Sequence, residues 1–111
     1  MKRIIVMGVG AQGSTIAKKM DAHPEVSDMI CADYDKNVAE TLSSSLGKVK
    51  ALQLDASKVN DVIKAAQGCD LIVNGLPLEF NLIIMEAALA VNASYLDMAG
   101  PMEKIGFALL M

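Results

Sequence analysis

Three glycines, Gly8, Gly10 and Gly13, follow directly on the apolar run Ile4-Ile5-Val6-Met7 and lead into a stretch in which Ile16, Ala17 and Met20 share one helical face. A G-x-G-x-x-G element in that position demands a strand, a turn tight enough to leave backbone bare, and a helix packed back on the strand. The rest of the chain continues in the same way. Arg3 to Met7 reads as a buried strand, and Gly13 to Asp21 as a helix stopped before Pro24. Met29 to Asp33 is a second strand closing on an acid. A second helix follows, with Asp35 as its N-cap, Val38, Ala39, Leu42 and Leu46 on its apolar face and Gly47 at its C-cap. Val49 to Leu54 supplies a third strand, and a helix opening at Ser57 carries Val59, Val62, Ile63 and Ala66, with Gly68 beyond it. Leu71-Ile72-Val73 is the fourth strand. Past Gly75-Leu76-Pro77 the residues Phe80, Ile83, Ile84, Ala87, Ala88 and Val91 form a wide apolar face, and Ser94 to Met98 gives strand five.

Strands separated each time by a helical pattern predict an α/β fold, a parallel sheet covered on both faces. Right-handed crossovers narrow the topology to about five strands in the order 3-2-1-4-5, a Rossmann-type three-layer domain. The length of 111 residues fits one such domain over 1–100, and 53% hydrophobic residues with a mean hydropathy of +0.39 exclude a disordered chain. Residues 101–111 form a C-terminal segment behind the Gly100-Pro101 break. Its apolar ending, Phe107 to Met111, is expected either to pack back on the sheet or to begin a remainder, and left bare it would favour a homodimer.

Charge excludes further classes. Ten Lys and Arg scattered among thirteen Asp and Glu, net −3, do not make the basic surface that nucleic acid requires. The apolar stretch Leu82 to Val91 is interrupted by Glu86 and falls short of the ~20 residues of a membrane span. The quartet Ile4 to Met7 is too short for a signal-peptide core, so a cytoplasmic protein with no membrane partner is expected. Cys31 and Cys69 stand far apart with His23 as the one histidine, a set that suits buried thiols and neither a disulfide nor a metal site.

The chemistry gathers at the carboxyl ends of the strands. Gly8 would permit the tight turn, Gly10 would let the backbone approach a pyrophosphate, and Gly13 would let the helix pack on the strand. The helix amides from Ala11 and Gln12 onward, with the helix dipole, then offer an anion site without a basic side chain. Asp33 lies 20 residues beyond Gly13, where a carboxylate accepts from ribose hydroxyls and repels a 2′-phosphate. With Tyr34, not Arg, beside it, the expected cofactor is NAD in preference to NADP; a helix cap or a solvated acid is the competing account of Asp33. Asp55 and Ala56 end strand three, where adenine would lie, and Asp55 serves equally well as an acid near the next helix N-terminus. Asn74, Gly75, Leu76 and Pro77 follow strand four, where the far half of a dinucleotide belongs. Gly75 would keep the backbone close and Asn74 would orient a ribose or a water, unless the segment is only a turn.

Gly8 to Gly13 with Asp33, Leu54-Asp55-Ala56, Asp70 to Pro77 and Ser94-Tyr95-Leu96-Asp97-Met98-Ala99 together resemble the N-terminal NAD(P)-binding domain of the saccharopine dehydrogenase family, lysine dehydrogenase-like members included. The resemblance covers about residues 3–100. It implies hydride transfer between nicotinamide and an amine of amino-acid metabolism. It also implies that substrate-binding and catalytic residues lie in a second domain, so only nucleotide-binding positions carry over. The rival is a stand-alone NAD-sensing regulatory module like the small domains that gate potassium channels. The Asn74 to Pro77 turn and the Tyr95 to Asp97 strand favour the dehydrogenase.

Overall fold

The computed structural model describes residues 2–97 and the backbone of residues 108–110. The elements run β1 (Lys2–Met7), α1 (Ala11–Asp21), β2 (Val26–Asp33), α2 (Lys36–Ser44), β3 (Val49–Gln53), α3 (Val59–Ala66), β4 (Leu71–Asn74), a 3-10 turn (Leu78–Phe80), α4 (Asn81–Val91), β5 (Ser94–Asp97) and β6 (Ala108–Leu110). The strand order is β3-β2-β1-β4-β5-β6. The first five strands are parallel, as expected, and β6 adds itself antiparallel to the outer edge of β5, pairing Leu96 with Leu109. That the apolar ending returns to the sheet was one of the two expectations for it, but its pairing as an antiparallel edge strand is not legible locally, because its partner lies more than ten residues earlier in the chain.

β1 shows why the sheet is buried on both sides. Ile4 and Val6 face a core built with Ile16 and Ala17 of α1, Ala39 and Leu42 of α2, and Met29 and Cys31 of β2. Ile5 and Met7 face the other core, with Val62 and Ala66 of α3, Ile84 and Ala87 of α4, and Tyr95 of β5. Alternate side chains of one strand thus feed opposite layers, so an uninterrupted apolar run is what a central parallel strand needs.

Local differences from the sequence expectation have local causes. Helix α1 starts at Ala11, two residues earlier than expected, because Gly8 turns the chain with φ +85° and Gly10 already stands extended as the N-cap. Asp35 caps α2 as expected, accepting from the Asn37 amide at 2.9 Å, but α2 ends on Ser45 and Gly47 is not its C-cap. The amides of Gly47 and Lys48 instead donate to the Asp21 carboxylate at 3.3 and 2.8 Å, tying the end of α2 to the end of α1. Ser57 lies in the turn ahead of α3, bonded to Asp55. Asn92 closes α4 in the left-handed conformation, φ 59°, a region Asn tolerates better than most residues.

Cys31 and Cys69 are both buried and free. Burial pushes the Cys31 thiol up to about 12, the Asp21 carboxylate adding to the effect, and burial likewise raises that of Cys69. Since the thiolate is the reactive species, neither cysteine should react with an aromatic disulfide reagent at neutral pH in the native domain, and both should react in denaturant. Native labelling as fast as that of the unfolded chain would contradict this packing. Among the described residues no helix is long and apolar enough to cross a membrane, and no group of three or more His, Cys, Asp or Glu could hold a metal ion.

Candidate functional site

Three glycines meet where β1, α1 and β4 converge at the carboxyl edge of the sheet. A Cβ added at Gly13 would overlap the carbonyl oxygen of Gly8, and one at Gly75 would stand 2.7 Å from that oxygen and 3.3 Å from Gly13 Cα. One at Gly8 would meet Leu76 Cδ2 at 2.6 Å. Gly75 also donates its amide to Met7 O at 2.8 Å, and Gly8 donates to Ala32 O at 2.8 Å. Gly10 differs from the other three: no atom lies within 4 Å of an added Cβ there. Gly8, Gly13 and Gly75 let three pieces of backbone touch, while Gly10 leaves backbone open to solvent.

Helix α1 begins at this open point without a side-chain cap and without an acid in its first turn. Its leading amides and the positive end of its dipole therefore face the exposed loop at Gly10, Ala11 and Gln12. Two clefts flank the loop. One, about 100 Å³, is lined by Gly8, Asp33, Tyr34, Leu54, Asp55, Ala56, Leu76 and Phe80, among others. The second, about 170 Å³, is lined by Gln12, Asn74, Gly75, Leu76, Leu78, Asn81 and Asp97. Leu76 belongs to both and separates them. Pro77 is exposed just beyond, and Gly13 is buried beneath the loop. A depression of about 340 Å³ lies at the opposite edge, lined by Lys2, His23, Glu25 and Asp70 among others. The carboxyl edge remains the candidate site, because ligands of parallel α/β sheets settle beyond the carboxyl ends of the strands.

The polar side chains at this edge are largely engaged with the protein itself. Asp33 accepts the Val9 amide on one oxygen and the Asp35 amide on the other, both at 2.9 Å, so its carboxylate ties the glycine loop to the start of α2. Asp55 accepts the amide of Ser57 at 3.0 Å and its hydroxyl at 2.6 Å, and these bonds hold its carboxyl below the ordinary value. Asn74, expected to orient a ribose or a water, is 1% exposed. Its Nδ2 donates to Asn81 Oδ1 at 2.8 Å and Tyr95 Oη at 2.9 Å, and its Oδ1 accepts the Leu76 amide at 3.0 Å. Asn81 and the Tyr95 hydroxyl escaped the sequence reading. The available signal was Tyr95 two residues before Asp97, which puts both on one side of a strand.

The model of the family described as the saccharopine dehydrogenase NADP binding domain matches residues 4–106. A carboxyaminopropylagmatine dehydrogenase from Synechocystis sp. is 34% identical over 104 residues, covering 89% of this chain and 26% of its own length. Among solved structures, the saccharopine dehydrogenase (L-Glu forming) of Saccharomyces cerevisiae superposes with a TM-score of 0.77 at 15% identity, covering 91% of this chain and 23% of that one. The uronate dehydrogenase of Agrobacterium tumefaciens superposes with a TM-score of 0.62 at 24% identity, covering 83% of this chain and 38% of that one. The chain thus spans about a quarter of the first two proteins' length. The family match overturns the expected preference for NAD over NADP, since the matching domain is an NADP-binding one. The physical premise of that preference also weakens, because both oxygens of Asp33 are already held by backbone amides.

Proposed function

From the premise that this chain belongs to the saccharopine dehydrogenase NADP-binding domain family, we propose that it holds NADP(H) along the carboxyl edge of its sheet for a dehydrogenase acting on a C–N bond of an amine substrate. The observation that carries this reading is the bare, uncapped N-terminus of α1 at Gly10. In it the pyrophosphate receives the amides of Ala11 and Gln12, where closely approaching backbone and the helix dipole recognise an anion without a cation. The adenosine half lies over Gly8, Tyr34, Asp55 and Ala56, with Asp33 holding the loop from behind. The nicotinamide half lies over Gln12, Gly75 and Leu76, with Pro77 at the rim and Asn74 supporting the turn from below.

When bound, the nicotinamide supplies the hydride chemistry. This chain's residues position it and present the apolar Leu76 to it. Among the described residues neither cleft is lined by Lys, Arg or His, so in this reading substrate anchoring and proton transfer belong to groups other than these lining residues.

Calorimetry with NADPH on the purified chain tests the assignment, with amide shift mapping to locate the ligand. One-site binding with shifts concentrated on Gly8 to Gly13 and Gly75 to Leu76 is expected. A folded domain that does not bind NADPH, or shifts concentrated around His23 and Asp70 at the opposite edge, would overturn it.

A further inference from the structure

Asn74 is the one buried polar residue among those described, and it sits in the middle of a one-way chain of hydrogen bonds that runs from the Leu76 amide to Asp97. A carboxylate only accepts, so the Tyr95 hydroxyl spends its proton on Asp97 Oδ2, 3.2 Å away. The phenolic oxygen is then left to accept, and it takes a proton from Asn74 Nδ2 at 2.9 Å. With its nitrogen committed to Tyr95 and Asn81, the Asn74 amide turns its oxygen to the Leu76 amide. Leu76 in turn leans its side chain over Gly8 and divides the two clefts.

We propose that Tyr95 is a positioning residue for the nucleotide site: its hydroxyl, donating to Asp97 and accepting from Asn74, orients the Asn74 amide and so holds Leu76 as the partition between the two clefts. This rests on the nucleotide reading above for the ligand, but the positioning exists in the empty domain. Tyr95 is 2% exposed, and its ring packs in the core shared by α3 and α4. Burial pushes its phenol up to about 12, so the proton that sets the direction of the chain stays in place at ordinary assay pH. An isolated amide in the same place could present either end to Leu76. The Tyr95 oxygen narrows that choice, because it is an acceptor beside the nitrogen end, whereas Asn81, which accepts there too, carries an amide that could itself turn either end.

Tyr95→Phe deletes the one oxygen and keeps the ring. Hydrogen exchange and amide shifts, read by NMR without ligand, should show the Leu76 amide losing protection while Ile72 and Val73 of β4 keep theirs. NADPH affinity should fall about three- to tenfold, the scale of one neutral hydrogen bond. Asp97→Asn, whose amide oxygen still accepts, should keep the Leu76 amide protected. Unchanged Leu76 protection in Tyr95→Phe, an equal loss across all of β4, or failure of that variant to fold would each overturn the proposal. Failure of the parent chain to bind NADPH would instead overturn the nucleotide reading, which the ligand-free Leu76 measurement does not use.

Discussion

Gly13→Ala is expected to cost the domain its close packing and lower its melting temperature by more than about 10 °C, because the new methyl would occupy the space of the Gly8 carbonyl oxygen. The obstacle is backbone, so no rotamer change relieves it, and α1 must lift from β1. Overpacking of that kind costs about 3 kcal/mol or more, a large share of the roughly 5–15 kcal/mol that holds a domain together. Ile16 and Ala17, buried on the same helix, would lose contact with Ile4 and Val6 as the helix moved. Gly75→Ala approaches the same oxygen at 2.7 Å from β4 and should destabilise by the same mechanism to a smaller degree. Thermal unfolding followed by circular dichroism is the measurement, and a Gly13→Ala domain melting within a few degrees of the parent would refute this packing.

Gly10→Val should do the reverse, leaving the fold and removing the ligand. The residue stands extended at φ −68° and ψ −159°, outside the left-handed region that favours glycine, and beyond its chain neighbours nothing lies within 4 Å of its added Cβ. Stability should therefore stay within about 1 kcal/mol of the parent, a poorer N-cap being offset by a stiffer unfolded chain. The branched side chain would fill the space in front of the Ala11 and Gln12 amides. Two charge-assisted hydrogen bonds at about 1.5–3 kcal/mol each would be lost, weakening NADPH binding by more than about 100-fold. Calorimetry beside a melting curve separates the outcomes: retained binding would place the ligand elsewhere, and an unfolded variant would give Gly10 the structural role of Gly13.

The contrast between Gly10 and Gly13 marks how far spacing alone reaches. Both belong to one six-residue pattern, whose position after a strand and before a helix was legible, as were the tight turn at Gly8 and the close helix–strand packing at Gly13. That Gly75 completes the contact was not, because it approaches from β4, more than sixty residues away. Asp33 shows the same limit in a side chain. Its place at the end of β2 followed from strand periodicity, yet its two oxygens are taken by Val9 and Asp35, and a carboxylate already bonded is poor grounds for choosing between cofactors.

By itself the sequence determined the alternation of five strands and four helices, the burial of both sheet faces and the parallel order. Each of these depends on periodicity, capping and chirality, which act over a few residues or restrict the connections between neighbours. Only the tertiary structure decided which polar groups remain open to a ligand. Asn74 meets Tyr95 from 21 positions away and Asp33 meets Val9 from 24, and β6 finds β5 across the intervening chain. Such pairings form because desolvated hydrogen-bonding groups must find partners once the layers close, and no local pattern specifies which partners those will be.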